Sequence, residues 1–257
     1  MSEDEIKYLE KPKLKNPVLI EGLPGIGNVG RVSAGYIISQ LKAKKFAELY
    51  SHNFLPLVVM QKNGVARMLK AEFYYYRGKK NDLIFVVGDS QSITPHGYYD
   101  LCNSILDVAE KFNVKEIITL GGLGVDSIKG VPKIVGAVNN EKLLKKFKPF
   151  GIIFDGSLVG TIIGVSGLLI GLAQVRGIDA VCLMAETAGF PIVITDPIAA
   201  EAMLNMLTRI LDIKIDMTRL EKEVSELEEK IKKTEEFHKK MLSKLQAESN
   251  ERVGYIG

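Results

Sequence analysis

Apolar positions along the chain change period in a way that reads as alternating strands and helices. Residues 17–22 form a short apolar run closed by glycine, and from 28 to 42 the apolar residues recur at helical spacing, which predicts strand, glycine-rich turn and helix. Runs at Leu83–Gly88, 116–120 and 180–184 predict buried parallel strands, separated by helical stretches over 98–112 and 164–176. Between the first helix and these runs, 57–60 and 67–77 read as strands joined across Lys62-Asn63-Gly64, where an Asn-Gly pair favours a tight hairpin. Pro197 after Thr195-Asp196 starts a last body helix, which the pattern carries past Leu211. The fold class that follows is α/β, a three-layer α/β/α sandwich with a mixed sheet covered on both faces.

Beyond the body a seven-residue repeat continues without a skip. Met217, Val224, Ile231, His238 and Leu245 occupy one seam position, and Ile213, Leu220, Leu227, Thr234 and Met241 the other, which predicts a C-terminal coiled-coil helix. At ~1.5 Å per residue such a helix spans about 50 Å and leaves the body. Thr234 and His238 are polar seam residues, and Phe237 with Leu242 widens the stripe, so packing in a bundle or against the body suits the pattern as well as a two-stranded rope. The expected organisation is a charged segment 1–16, a globular domain 17–212, a helical arm 213–247 and a flexible tail 248–257.

With 46% hydrophobic residues in 257, the chain can bury a full core. A net charge of +3 with acids and bases interspersed does not imply nucleic acid. Cys102 and Cys182 lie far apart in apolar surroundings without companion ligands, which reads as buried small hydrophobes in a reducing compartment and no metal site. The N-terminal residues are charged and lack an apolar signal core, so a cytoplasmic location is expected. Residues 157–173 carry no charge, at the lower limit of a membrane span, yet Gly160, Gly164, Gly167 and Gly171 fall at 4-3-4 spacing. A glycine stripe on one helical face predicts close packing inside a core or between subunits rather than a membrane contact.

Several loops invite a chemical reading. Gly25-Ile26-Gly27-Asn28-Val29-Gly30 has the dinucleotide-binding spacing between a strand and a helix, with Glu48 near the place of a ribose-binding acid. Asp89 and His96 are the pair close enough in sequence for acid/base work, although Thr94-Pro95 is equally a helix start. Gly121-Gly122-Leu123-Gly124 and the turn from Glu186 to Pro191 close two further strands without a nucleophile or metal-ligand spacing. No residue arrangement completes a hydride-transfer site or a Walker-type loop, so no cofactor and no catalytic residue is assigned.

Together, 23–30, 121–124 and Gly164-Val165-Ser166-Gly167-Leu168-Leu169 resemble the archaeal members of the proteasome assembly chaperone family, over roughly 17–213. That resemblance implies a fold similar to purine nucleoside phosphorylases without their catalysis, homo-oligomers, and a glycine signature that serves as a turn. It also implies a partner, the α subunits of the proteasome core particle, which related chaperones and the proteasomal ATPases meet through flexible C-termini ending in hydrophobic, tyrosine and any residue. This chain departs from that ending: Tyr255 stands third from the end, preceded by Gly254, with Val253 one step earlier. The expected recognition residues are Val253, Tyr255, Ile256 and Gly257 with its carboxylate, and the expected packing residues are the four glycines with Leu220, Val224, Leu227 and Ile231. The expected activity is a non-enzymatic assembly chaperone or activator-like cap, with a nucleotide- or nucleoside-binding enzyme using 25–30 as the alternative. Neither nucleic acid nor membrane is an expected partner.

Overall fold

A computed structural model describes residues 4–188, 195–220, 222 and 224. The first buried strand pattern folds as expected: Val18–Gly22 (β2) is buried at every residue because neighbours flank it on both sides and helices cover both faces. It is preceded by a short strand, Glu5–Tyr8 (β1), and followed by the helix Val29–Leu41 (α1). The chain continues through Lys44–Tyr50 (β3), a separate hairpin of Val58–Met60 (β4) and Ala66–Met68 (β5), then Ala71–Tyr76 (β6), Leu83–Gly88 (β7) and the helix Pro95–Lys111 (α2). Next come Glu116–Val125 (β8), Ile134–Val138 (β9), Lys142–Phe147 (α3), Val165–Val175 (α4), Asp179–Ala188 (β10) and Pro197–Leu211 (α5).

Eight strands form one mixed sheet in the order β1-β3-β6-β7-β2-β8-β10-β9. The central four, β7, β2, β8 and β10, run parallel, while β6, β3 and β1 on one flank and β9 on the other are antiparallel to their neighbours. Helices α1 and α5 cover one face, where Val32, Tyr36 and Ile37 share a core with Met203, Leu204 and Leu207. Helices α2 and α4 cover the other, with Leu101, Ile105, Leu169 and Ala173 in a second core. Outside β9, Ile153 bridges to Val135, its N–H donating to the Ile134 carbonyl and its carbonyl accepting from the Gly136 N–H.

Four sequence expectations are corrected. Gly121-Gly122-Leu123-Gly124 and the start of the turn expected from Glu186 are not loops that close their strands: they lie inside β8 and β10, which continue to Val125 and Ala188 because each is the other's parallel partner over that length. The strand expected over 67–77 is interrupted: Arg67 and Met68 belong to the hairpin and 71–76 to the sheet, because Lys70 turns its backbone N–H and carbonyl to Asp89 at the end of β7. The last body helix does not run on into the arm. Asp212 adopts a left-handed conformation (φ 52°) that closes α5, and 213–217 lie outside any regular element. The uncharged stretch 157–173 is not one helix with a glycine face. Helix α4 begins only at Val165, Gly160 sits in the preceding loop with open space around it, and Gly164 (φ 92°) is the residue before the helix. Gly167 is pressed against the Ile162 backbone, whereas Gly171 faces open space. No described helix is long and apolar enough to cross a membrane.

The N-caps of α2 and α5 follow from their sequences. Thr94 Oγ1 accepts from Gly97 N at 3.1 Å and Asp196 Oδ1 from Ala199 N at 2.9 Å, each followed by proline, whose missing N–H costs nothing in a first turn.

Candidate functional site

The carboxyl ends of the parallel strands converge on one edge, where open α/β sheets usually place a site. Here the glycine loop after β2 is used for packing. A β-carbon on Gly30 would collide with the Leu120 carbonyl, one on Gly22 with the Gly30 carbonyl and Ala34, and one on Gly122 with the Ile26 carbonyl. Helix α1 therefore lies directly on β2 and β8. Gly27 (φ 60°) closes the turn, and its carbonyl accepts from Asp196 N at 2.9 Å, so the start of α5 lies over the loop. Thr187 Oγ1 donates to Asp196 Oδ2 at 2.6 Å, which ties β10 to the same point.

The sequence-stated acids lie elsewhere. Glu48 is on β3, with β6 and β7 between it and β2, and takes part in ion pairs with Lys45 and Lys70. Desolvation works against its charge, but hydrogen bonds from Lys45, Lys70 and Tyr50 prevail and hold its pKa at about 2. It does not serve as a ribose acid beside 25–30. Asp89 and His96 are not brought together either: Asp89 accepts two hydrogen bonds from Arg67, at 2.5 and 3.0 Å, while His96 is exposed and its Nε2 lies 3.6 Å from Asp100. Cys102 and Cys182 are both buried and free, and burial pushes the Cys182 thiol up to about 12. Among the described residues no group of His, Cys, Asp and Glu could hold a metal ion.

A buried carboxyl escaped the sequence reading. Glu21, in the otherwise apolar β2, is fully buried, and desolvation raises its pKa to about 7. It accepts from Leu23 N at 2.7 Å and lies 3.0 Å from Ser166 Oγ, whose hydroxyl also reaches the Leu120 carbonyl at 3.1 Å. Protonated, Glu21 donates to Ser166, which then donates to Leu120, and every partner is satisfied. Thr119 Oγ1 donates to the Ser166 carbonyl, and Gln91 bridges the Pro24 carbonyl and the Val165 N–H. The network joins β2, β8, the loop after β7 and the start of α4. One charged residue inside a strand with no exposed position was the available signal.

The arm begins against the body. Ile213, Ile215 and Met217 pack partly on the α1/α5 core, Leu220 and Val224 are buried there, and Tyr36 Oη donates to the Asp216 carbonyl at 2.5 Å. The first seam residues thus meet α1. Leu227, Ile231 and the recognition residues Val253, Tyr255, Ile256 and Gly257 lie outside the described residues. On the hairpin, Val58, Met60 and Met68 point to one face of a two-stranded ribbon and are all more than half exposed.

The profile of a known family matches residues 19–235, most of the chain. The chain belongs to the PAC2 family. The uncharacterized protein MJ1210 of Methanocaldococcus jannaschii is 39% identical over 95% of this chain and 93% of its own length. Among solved structures, Pyrococcus furiosus PbaB, an archaeal proteasome activator, is 40% identical, covering 91% of this chain and all of that one, with a TM-score of 0.82. Pyrococcus furiosus PbaA, an archaeal homolog of proteasome-assembly chaperone, is 26% identical, covering 91% of this chain and 96% of that one, with a TM-score of 0.73. This PAC2 chain is thus a homologue of archaeal proteasome activator and assembly-chaperone proteins.

Proposed function

We propose that this PAC2 protein is a non-enzymatic, cytoplasmic homo-oligomer that docks on the α-ring of a proteasome core particle as an assembly factor or activator-like cap. The observation that carries the reading is the full-length similarity to PbaB at 40% identity. Val253, Tyr255, Ile256 and the Gly257 carboxylate recognise the ring: the tyrosine supplies apolar area and a hydroxyl, and the carboxylate a charge for a basic socket. Ordering a tail costs about 1–2 kcal/mol per residue, so one tail binds weakly and several presented together gain avidity. The exposed apolar face of Val58, Met60 and Met68 is of the kind that copies cover in one another.

In a surface plasmon resonance assay on immobilised α-rings, deleting the last five residues should weaken binding at least about a hundredfold, the scale on which multivalent avidity is lost. Undiminished binding would remove the tail from the mechanism. Adding back the free hexapeptide of the C-terminus should compete only at far higher concentration than the intact protein.

A further inference from the structure

The edge of the sheet opposite the glycine loops carries a cleft of about 400 Å³. Its walls are the starts of β2, β7 and β8 and the ends of α1, β6 and α5, together with α3 and the segment that leaves the body. The floor is apolar, formed by Leu41, Tyr76, Ile210, Leu211 and Ile213, each only partly buried. The rim is cationic, with Lys79, Lys80, Lys146 and Lys214 all exposed to solvent.

Two carboxylates share the cleft, and they do not neutralise it. Glu116 pairs with Lys146, and Asp212 stands at the left-handed cap of α5. Among the described residues Lys79, Lys80 and Lys214 carry no ion pair. Lysines crowded around an apolar floor repel one another, so the arrangement is relieved by a ligand that brings negative charge. The floor narrows the choice: a phosphate or a nucleic-acid backbone would satisfy the rim and leave apolar surface uncovered. A peptide uses both features, seating one apolar side chain on the floor and its flanking carboxylates against the rim. The volume lies in the range of small-ligand pockets, roughly 300–1,000 Å³, room for one large side chain with its backbone.

We propose that this cleft is a docking site for an acidic peptide segment of a protein partner, anchored by one apolar residue. The site is separate from the C-terminal tail and does not depend on the reading given above. Because Asp212, Ile213 and Lys214 form part of its wall, an occupied cleft also holds the segment by which the arm joins the body.

The test is fluorescence anisotropy with the full chain and fluorescein-labelled Glu-Glu-Leu-Glu-Glu in low salt. Saturable binding is expected, and the Glu-Glu-Ser-Glu-Glu peptide should bind about tenfold more weakly, since burying a leucine is worth about 1.5 kcal/mol or more. A Lys80→Glu, Lys214→Glu double variant should lose at least tenfold in affinity with an unchanged melting temperature, because both side chains are exposed. A Lys62→Glu, Lys129→Glu control, with the same change of net charge at the hairpin and beyond the carboxyl end of β8, should bind as the parent does. Absence of saturable binding at millimolar peptide, or equal losses in the two double variants, would overturn the proposal. So would tighter binding of a twelve-residue oligothymidylate, which would make the cleft a polyanion site. Tighter binding of a peptide carrying the chain's own last six residues would assign it to the tail instead.

Discussion

Gly30→Ala should lower the melting temperature by roughly 4–8 °C, and Gly35→Ala, five residues further along the same helix, should raise it by about 2–4 °C. Both replace a helical glycine by the best helix former, a gain of about 1 kcal/mol when nothing else changes. At Gly35 nothing lies within 4 Å of the added β-carbon, so the gain survives. At Gly30 the added carbon meets the Leu120 carbonyl and carbon atoms of the same residue at 3.0–3.1 Å, and backbone atoms have no rotamer by which to retreat. Helix α1 must lift off β8, at a cost of about 3 kcal/mol or more, which outweighs the propensity term. For a body of this size each kcal/mol moves the melting temperature by about 2–4 °C. The measurement is a pair of thermal melts by circular dichroism. If Gly30→Ala were neutral or stabilising, the third glycine of the loop would not be required by packing, and the dinucleotide reading would regain its main support.

Glu21→Gln should remove a pH dependence of folding that the parent shows between about pH 4.5 and 7. The folded pKa of Glu21 is raised from 4.5 to about 7, so the unfolded chain releases this proton first as pH rises. Its contribution to stability is fully present below pH 4.5 and is lost as pH climbs through 7, by about 3 kcal/mol in total at about 1.4 kcal/mol per unit. Glu48 shifts the opposite way, to about 2, and its contribution is lost as pH falls from 4.5 towards 2, below the Glu21 window. Glutamine keeps the geometry: its oxygen accepts from Leu23 N and its amide donates to Ser166 Oγ. Urea unfolding at pH 5 and pH 8 should therefore show a smaller change for the variant than for the parent, with the variant more stable at pH 8. Equal pH profiles would mean that Glu21 is ionised in the folded protein at both values.

Asp196→Ala should destabilise by about 2 kcal/mol in the same urea assay, since the carboxylate caps α5 and also accepts the buried Thr187 hydroxyl. Asp196→Asn should recover most of that loss.

Legibility in the sequence followed local chemistry. The runs at 17–22, 83–88, 116–120 and 180–184 are largely apolar, and the caps at Thr94-Pro95 and Asp196-Pro197 announce their helices, so the parallel centre of the sheet could be read, but not the continuation of β8 and β10 through glycines and Glu186 to Val125 and Ala188. Strand β3 could not. Lys45 and Glu48 break its alternation, and they are tolerated because they form mutual ion pairs with Lys70 and Glu72. β1 is short and partly polar and β9 is short, and each edge strand pairs with a partner far away in sequence. The glycine spacing at 160, 164, 167 and 171 was misread because periodicity alone does not place a helix start. Gly164 has a positive φ, and Gln91 Oε1 accepts from the Val165 N–H, so the turn begins there and not earlier. At the candidate site the loops were visible, but what fills them was not: the close approaches at Gly22, Gly30 and Gly122 are tertiary facts, and Glu21 acquires its character only from burial.

The two flanks of the sheet have a bearing on how any higher-order structure could be built. β1 is four residues long with Glu5 and Lys7 on it, and charged, stubby borders of this kind discourage further pairing. On the opposite border, β9, the Ile134 carbonyl and the Gly136 N–H are engaged by Ile153. Filament-like growth by adding strand to strand is discouraged on both sides, which favours side-chain surfaces for any gathering of copies around a common axis and leaves the sheet a private feature of each.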